Sequence, residues 1–309
     1  MTRLDLDPAA PEVAADTTYL AELGQRVRRA RALRGMSRKT LARVSGISER
    51  YLAQLESGAG NLSIVLLRKV SRATGAPLEE LVGEGEQPAD WPLFRELLRR
   101  ASPAAIELAR KALDGGTGDA PPTPRSVDRV ALIGLRGAGK STVGRLAAQR
   151  LGWSFIELNH EVERAAGLSV TEVFNLYGQD GYRRLEQKAL RAVIEQPGPL
   201  ILATGGGIVA EPLTFDQLLS SFFTVWVKAL PGQHMNRVRE QGDLRPMAND
   251  RGAMDELVAI LSSREPLYAR ANAQIDTSEM SVDRAAGALV DLIQHADARA
   301  RIDRGSMNV

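Results

Sequence analysis

Apolar residues recur at helical spacing at Leu20, Leu23, Val27 and Ala30, which predicts an amphipathic helix over 20–34. Beyond it the units become short. Ser37 is a good N-cap for a helix over 38–44, Gly46 turns the chain, and Ser48 caps a helix over 49–56 that stops at Ser57-Gly58. Two short helices joined through a glycine turn make a helix-turn-helix, and Leu41, Ala42, Ile47, Leu52 and Leu55 are the positions that would pack the pair. Residues 63–74 and 78–82 supply two more short helices, so this region reads as a five-helix, all-α unit. Helical periodicity returns over 91–113, divided by Ser102-Pro103 as a cap and first-turn proline. From Arg129 onward the pattern changes. Apolar runs near 129–134, 153–157, 199–203, 222–227 and 273–277 alternate with helical stretches, which predicts a parallel sheet with helices on both faces.

The expected fold class is therefore multidomain: an all-α unit followed by an α/β domain. A length of 309 residues leaves room for both cores. The boundaries read as a disordered arm (1–17), a DNA-binding domain (18–83), a helical and Gly/Pro linker (84–126), an effector-binding domain (127–297) and a tail (298–309). The linker ends in DGGTGDAPPTPRS, a flexible composition. There is no cysteine, which removes disulfides and thiol chemistry and suits a reducing cytoplasm. No apolar run approaches the ~20 residues of a membrane span, and the opening MTRLDLDPAAPEVAAD lacks the apolar core of a signal peptide.

Net charge is only +2, so distribution matters more than the sum. Between Gly24 and Gly75, lysines and arginines are opposed only by Glu49 and Glu56. A concentrated basic segment in a near-neutral chain fits a polyanion partner. The segment MSRKTLARVSGISERYLAQLESG (36–58) with LLRKVSRATGAPLEELV resembles the helix-turn-helix domain of the phage-repressor (XRE) family. That resemblance implies that the third helix enters the major groove of double-stranded operator DNA, presenting Glu49, Arg50, Tyr51 and Gln54. Arg50 suits guanine and Gln54 adenine, while Ser37, Arg38, Lys39 and Ser48 lie near phosphates. It also implies that Arg31 pairs with Glu56, and that a homodimer spans half-sites about 34 Å apart.

Residues 134–141, GLRGAGKS, fit the phosphate-binding pattern G-x-x-x-x-G-K-[ST], placed between a strand and a helix start. Gly134, Gly137 and Gly139, with Arg136 and Ala138 between them, leave main-chain N–H groups open to an anion. Lys140 reaches outer phosphates, and the Ser141 hydroxyl, beside Thr142, can ligate Mg²⁺.

Further segments, over about 129–294, resemble shikimate kinase. FNLYGQDGYRRLE (174–186) is similar to the segment holding a substrate-carboxylate arginine, here Arg183. ATGGGIV (203–209) is similar to the substrate loop, here Gly205, Gly206 and Gly207. GDLRPM (242–247) resembles the lid with its arginine, Arg245, and SREPLYARA (263–271) the segment with a second carboxylate arginine, Arg264. The resemblance fails at one point. The family carries Asp-x-Asp after the second strand, the first residue for Mg²⁺ and the second as base. This chain has Glu157-Leu158-Asn159. Glu157 can still bind Mg²⁺ through water, but Asn159 cannot take a proton, although it can hydrogen-bond a ligand or cap the following helix. The implied reading is a domain that binds and does not react, hence no enzyme and no required cofactor, with ATP or Mg²⁺ binding left open. The alternative is an active shikimate-kinase-type phosphotransferase fused to a DNA-binding domain.

The whole arrangement resembles the benzoyl-CoA-responsive transcriptional regulators of the BzdR and BoxR type. It implies a cytoplasmic, nucleoid-associated repressor of benzoate catabolism genes, with benzoyl-CoA as effector.

Overall fold

The computed structural model describes residues 10–60, 63–83, 88, 90–114, 127–240 and 251–306. The chain forms two compact units, Met1–Gln87 with Pro246–Arg264, and Pro88–Arg245 with Glu265–Val309.

In the first unit, α1 (Ala10–Leu33), α2 (Arg38–Ser45), α3 (Glu49–Glu56), α4 (Ile64–Thr74) and α5 (Leu78–Val82) surround a core of Leu23, Val27, Leu41, Leu52, Leu55 and Val70. The caps are those expected: Ser37 accepts from the Thr40 amide at 3.1 Å and Ser48 from the Tyr51 amide at 3.2 Å. Gly46 turns the chain at φ 68°, where a side chain is strained. One expectation is corrected. The segment read as a disordered arm is helical from Ala10, because an alanine-rich stretch with Pro11 in its first turn extends α1 backward.

In the second unit, α6 (Trp91–Arg100) and α7 (Pro103–Asp114) are separate helices, with Pro103 in the first turn of α7, and α6 packs on α11. The α/β part runs β1 (Arg129–Ile133), α8 (Lys140–Leu151), β2 (Ser154–Glu157), α9 (Leu158–Ala166), α10 (Val170–Glu195), β3 (Leu200–Ala203), α11 (Pro212–Ser221), β4 (Phe223–Lys228), α12 (Pro231–Glu240), the end of α13 (Arg251–Tyr268, which up to Arg264 belongs to the first unit), β5 (Ala273–Asp276) and α14 (Val282–Ser306). The stretch read as a tail from 298 is thus the end of α14, as far as Ser306. The sheet has the order β2-β3-β1-β4-β5, with every pairing parallel. Successive β1 residues face opposite layers: Val130 and Leu132 join the core under α8 and α14, and Ala131 and Ile133 the core under α9, α10 and α11. The connection after β1 runs by α8 to β2 on one face, and the connection after β3 runs by α11 to β4 on the other, so the carboxyl ends of the neighbouring strands β1 and β3 border the crevice where ligands bind in open parallel sheets.

Candidate functional site

In the first unit the third helix presents what recognition needs. Glu49, Arg50 and Gln54 are exposed and Tyr51 is half-buried, while Leu52 and Leu55 are buried beneath them. Lys39 and Ser48 are exposed beside the turn. Arg31 and Glu56 form the expected pair, with Nε to Oε1 at 2.6 Å and Nη2 to Oε2 at 3.0 Å. Arg38 donates from Nε to Glu56 Oε2 at 3.2 Å, with its side chain 43% exposed. Arg50→Ala should weaken specific operator binding by about 1–3 kcal/mol and leave phosphate-ligand binding unchanged; unchanged operator affinity in an anisotropy titration would remove Arg50 from the reading set.

In the second unit the phosphate loop lies between β1 and α8. Gly134 has φ 139°, and a Cβ there would meet the Val227 carbonyl at 2.3 Å, so only glycine fits. Gly139, at φ 97°, starts α8. The N-terminal N–H groups of α8 therefore open beyond the sheet, adjoining a cavity of about 280 Å³ lined by Gly137, Gly139, Thr142, Arg237, Thr277 and Met280. Lys140 is buried and donates to the Gly134 and Leu135 carbonyls at 2.8 and 3.0 Å. Arg237 donates to the Ala138 carbonyl at 3.3 Å and the Thr277 carbonyl at 3.1 Å, holding the loop against β5. Sequence reasoning missed Arg237, Thr277 and His234, whose separation from the loop by about a hundred residues or more carries no local signal.

His234 Nδ1 lies 2.8 Å from the Arg136 carbonyl. Burial pushes its imidazole below the ordinary value, and the Lys140 and Arg237 charges add to the push against the loop carbonyl. The neutral form is the one that folds well. Its contribution to stability is therefore complete above about 6.5 and is lost as pH falls through that unfolded value toward the lowered folded one. The thermal midpoint of the second unit should fall between pH 7.5 and 5.5, and less so in His234→Gln. An equal fall in both proteins excludes His234 as the cause.

The triple-glycine loop follows β3. A Cβ on Gly206 would come within 3.0 Å of the Arg136 amide, so the two glycine loops touch, and Tyr268 Oη donates to the Gly206 carbonyl at 2.7 Å. Gly207 lies next to them in sequence, ahead of the short Ile208–Ala210 turn. Asn159 is not the helix cap: α9 begins at Leu158 with Glu157 as N-cap, which puts Asn159 inside the first turn. Its Oδ1 lies 2.9 Å from Tyr182 Oη, which is 3.1 Å from Glu186 Oε1. Burial, then the adjacent Glu186 carboxylate, pushes the Tyr182 phenol well above its usual value. Tyr182 and Glu186 were also missed, although they flank Arg183 at an i, i+4 spacing on one helix face.

Arg183 pairs with the Glu211 carboxylate at 2.5 Å, so a carboxylate already occupies that guanidinium. Arg264 belongs to the first unit, where it donates from Nε and Nη2 to the Leu33 carbonyl at 3.0 and 2.7 Å. Arg245 lies outside the described residues. Glu157 pairs with Arg145 at 2.7 Å. No cluster of three or more His, Cys, Asp or Glu able to hold a metal occurs among the described residues, and no described helix is long and apolar enough to cross a membrane.

Two family models match the chain: a helix-turn-helix over residues 27–81 and shikimate kinase over residues 136–294. A shikimate kinase of Synechococcus sp. (strain CC9605) is 34% identical over 162 residues, which cover 52% of this chain and 80% of that protein. One of Parasynechococcus marenigrum (strain WH8102) is 39% identical over 141 residues, 46% of this chain and 73% of its own. The solved shikimate kinase of Acinetobacter baumannii in complex with shikimate superposes with a TM-score of 0.50 at 29% identity, over 54% of this chain and 92% of that one. These findings correct the expectation that the chain is no enzyme, since relatives at this identity are named as kinases and one holds shikimate. An XRE-type helix-turn-helix is thus joined to a P-loop α/β domain, and through residues 136–294, about half of its length, the chain belongs to the shikimate kinase family.

Proposed function

We propose that this protein is a transcriptional regulator, acting as a repressor, whose operator binding responds to a phosphate-bearing ligand on the 134–141 loop. The observation that carries the reading is the presence in one chain of an exposed recognition helix and an open phosphate loop. The effector of this reading is benzoyl-CoA, supported by the sequence resemblance and by fit. Coenzyme A carries a diphosphate and a ribose phosphate for Gly137, Gly139, Lys140 and Ser141, and the 280 Å³ cavity has room for part of its adenosine. The benzoyl group would lie along Gly205–Gly207. A homodimer on two half-sites fits the small footprint of one helix-turn-helix, and α6 offers Phe94, Leu97 and Leu98, each about half exposed, to a second copy.

The relatives favour a second activity for the same site: transfer of the ATP γ-phosphoryl group to shikimate or a similar hydroxy acid. In that reading Lys140 and the loop amides hold the phosphates, and Arg183, on exchanging its Glu211 partner, takes the substrate carboxylate. Ser141 and Glu157 have the oxygen chemistry Mg²⁺ accepts, with phosphates and water completing its shell. Bound there, Mg²⁺ would neutralise phosphate charge.

Fluorescence anisotropy of the full chain on its own promoter DNA separates the readings, with salt fixed because phosphate contacts make affinity steeply salt-dependent. Release by benzoyl-CoA, with no effect of benzoate or coenzyme A, supports the effector. Release only by ATP with shikimate, accompanied by ADP formation, replaces benzoyl-CoA with the kinase ligands. No specific operator binding sinks the regulator.

A further inference from the structure

If the second unit transfers a phosphoryl group, the attacking hydroxyl must lose a proton, and Asn159 cannot take it. The structure places two other groups at the same point. Tyr182 Oη stands between Asn159 Oδ1 at 2.9 Å and Glu186 Oε1 at 3.1 Å. All three atoms pack against the Gly205 α-carbon: a Cβ built there would lie 3.2 Å from Glu186 Oε1, 3.3 Å from Asn159 Oδ1 and 3.4 Å from Tyr182 Oη, closer than side chains normally pack, and the half-buried Asn159 and Gly205 form the partly exposed edge of this group. The phenol ring is stacked on Phe174 with centroids 4.5 Å apart, and the Glu186 side chain is buried in the wall behind it. A phenol has one hydrogen and so donates to only one of its two neighbours. The ionised carboxylate is the stronger acceptor. The phenol oxygen then keeps lone pairs for the Asn159 amide, whose oxygen and nitrogen interchange by a flip, and for a hydroxyl beside Gly205.

We infer that Tyr182 and Glu186 form a proton relay that replaces the missing base in phosphoryl transfer from a nucleoside triphosphate to a hydroxy acid. The inference rests on the kinase reading above. The substrate O–H bond breaks as its oxygen bonds to the γ-phosphorus, and the bond from that phosphorus to the nucleoside diphosphate breaks. The substrate proton passes to Tyr182 Oη while the Tyr182 proton passes to Glu186 Oε1. After product leaves, the proton returns through Tyr182 to water, so the net reaction yields phosphate ester, nucleoside diphosphate and one proton. Burial and the Glu186 charge keep the phenol neutral at ordinary pH, which suits a group that accepts and donates in the same step. Asn159 orients the hydroxyl.

The test uses the full chain, shikimate and ATP-Mg²⁺, with ADP release measured across pH. Tyr182→Phe keeps the ring stack and removes only the oxygen. It should lower kcat about 10²-fold with the KM for ATP unchanged, as loss of general-base assistance does. Glu186→Gln should lower kcat similarly, again with the KM for ATP unchanged. In an Asn159→Asp background, where a carboxylate again faces the hydroxyl, the Tyr182→Phe penalty should shrink by at least tenfold. Full kcat in Tyr182→Phe overturns the relay, as does an equal penalty in both backgrounds, which would mark a merely structural network. Turnover by Asn159→Asp but none by the natural chain overturns the relay and leaves the kinase architecture standing. No turnover by either, with ATP bound in calorimetry, sinks both.

Discussion

Replacing Glu56 with alanine is expected to destabilise the first unit by about 3–5 kcal/mol and to abolish operator binding, because it strands the Arg31 charge. Arg31 is 2% exposed, and the Glu56 side chain 4%. Two hydrogen bonds, at 2.6 and 3.0 Å, join them, and a third runs from Arg31 Nη1 to the Met36 carbonyl at 2.7 Å. Without Glu56 the nearest carboxylate is Glu256, at 3.8 Å, too far for a hydrogen bond. A surface ion pair is worth at most about 1 kcal/mol, so burial decides the size of the effect. Small domains have ~5–15 kcal/mol in all, and α3, which carries Arg50 and Gln54, ends at Glu56. Hydrogen exchange should show loss of protection in α1–α5 while β1–β4 stay protected, and anisotropy should show no specific complex. Intact protection and affinity would reduce the pair to an ordinary surface contact. Glu56→Gln, which keeps an acceptor, should lose less.

Lys140→Ala is the complementary change. Removing one preorganised cationic donor from a phosphate site is expected to lower ATP-dependent turnover by about 10²–10³-fold and to weaken ATP binding by about 1.5–3 kcal/mol. In this structure the ammonium group folds onto the Gly134 and Leu135 carbonyls. Phosphate oxygens would take its hydrogens from those carbonyls when nucleotide binds, so the loop need not be rebuilt. Operator binding in the absence of ligand should be retained, because the change lies in the other unit. ADP release and calorimetry check the first part, anisotropy the second. Unchanged turnover would show that the loop does not hold the transferred phosphate. Loss of DNA binding without ligand would show instead that the variant is misfolded.

Much of the architecture was legible in local pattern. The caps at Ser37 and Ser48 and the Gly46 turn follow from side-chain and backbone chemistry within a few residues, and each occurs. The five apolar runs became five strands, since buried parallel strands need continuous apolar sequence. The phosphate loop was readable because its glycines, lysine and serine are consecutive. Element ends were less legible. The charges and prolines of MTRLDLDPAAPEVAAD suggested a disordered arm, but alanine content carried α1 back to Ala10.

The chain by itself determined the two kinds of unit, the helix-turn-helix and the glycine-rich loop between strand and helix, because each depends on residues close together along the backbone. Tertiary structure alone decided what surrounds them. Arg237 and His234 reach the loop from a helix about a hundred residues away, Arg183 meets Glu211, and Arg264 turns to the Leu33 carbonyl. Asn159 looked like the end of the chemistry when only its own side chain was in view. Packing α10 on the face of the sheet that holds β3 brings Tyr182 and Glu186 to the same glycine. Proton transfer depends on distance through space, which spacing along the chain does not encode.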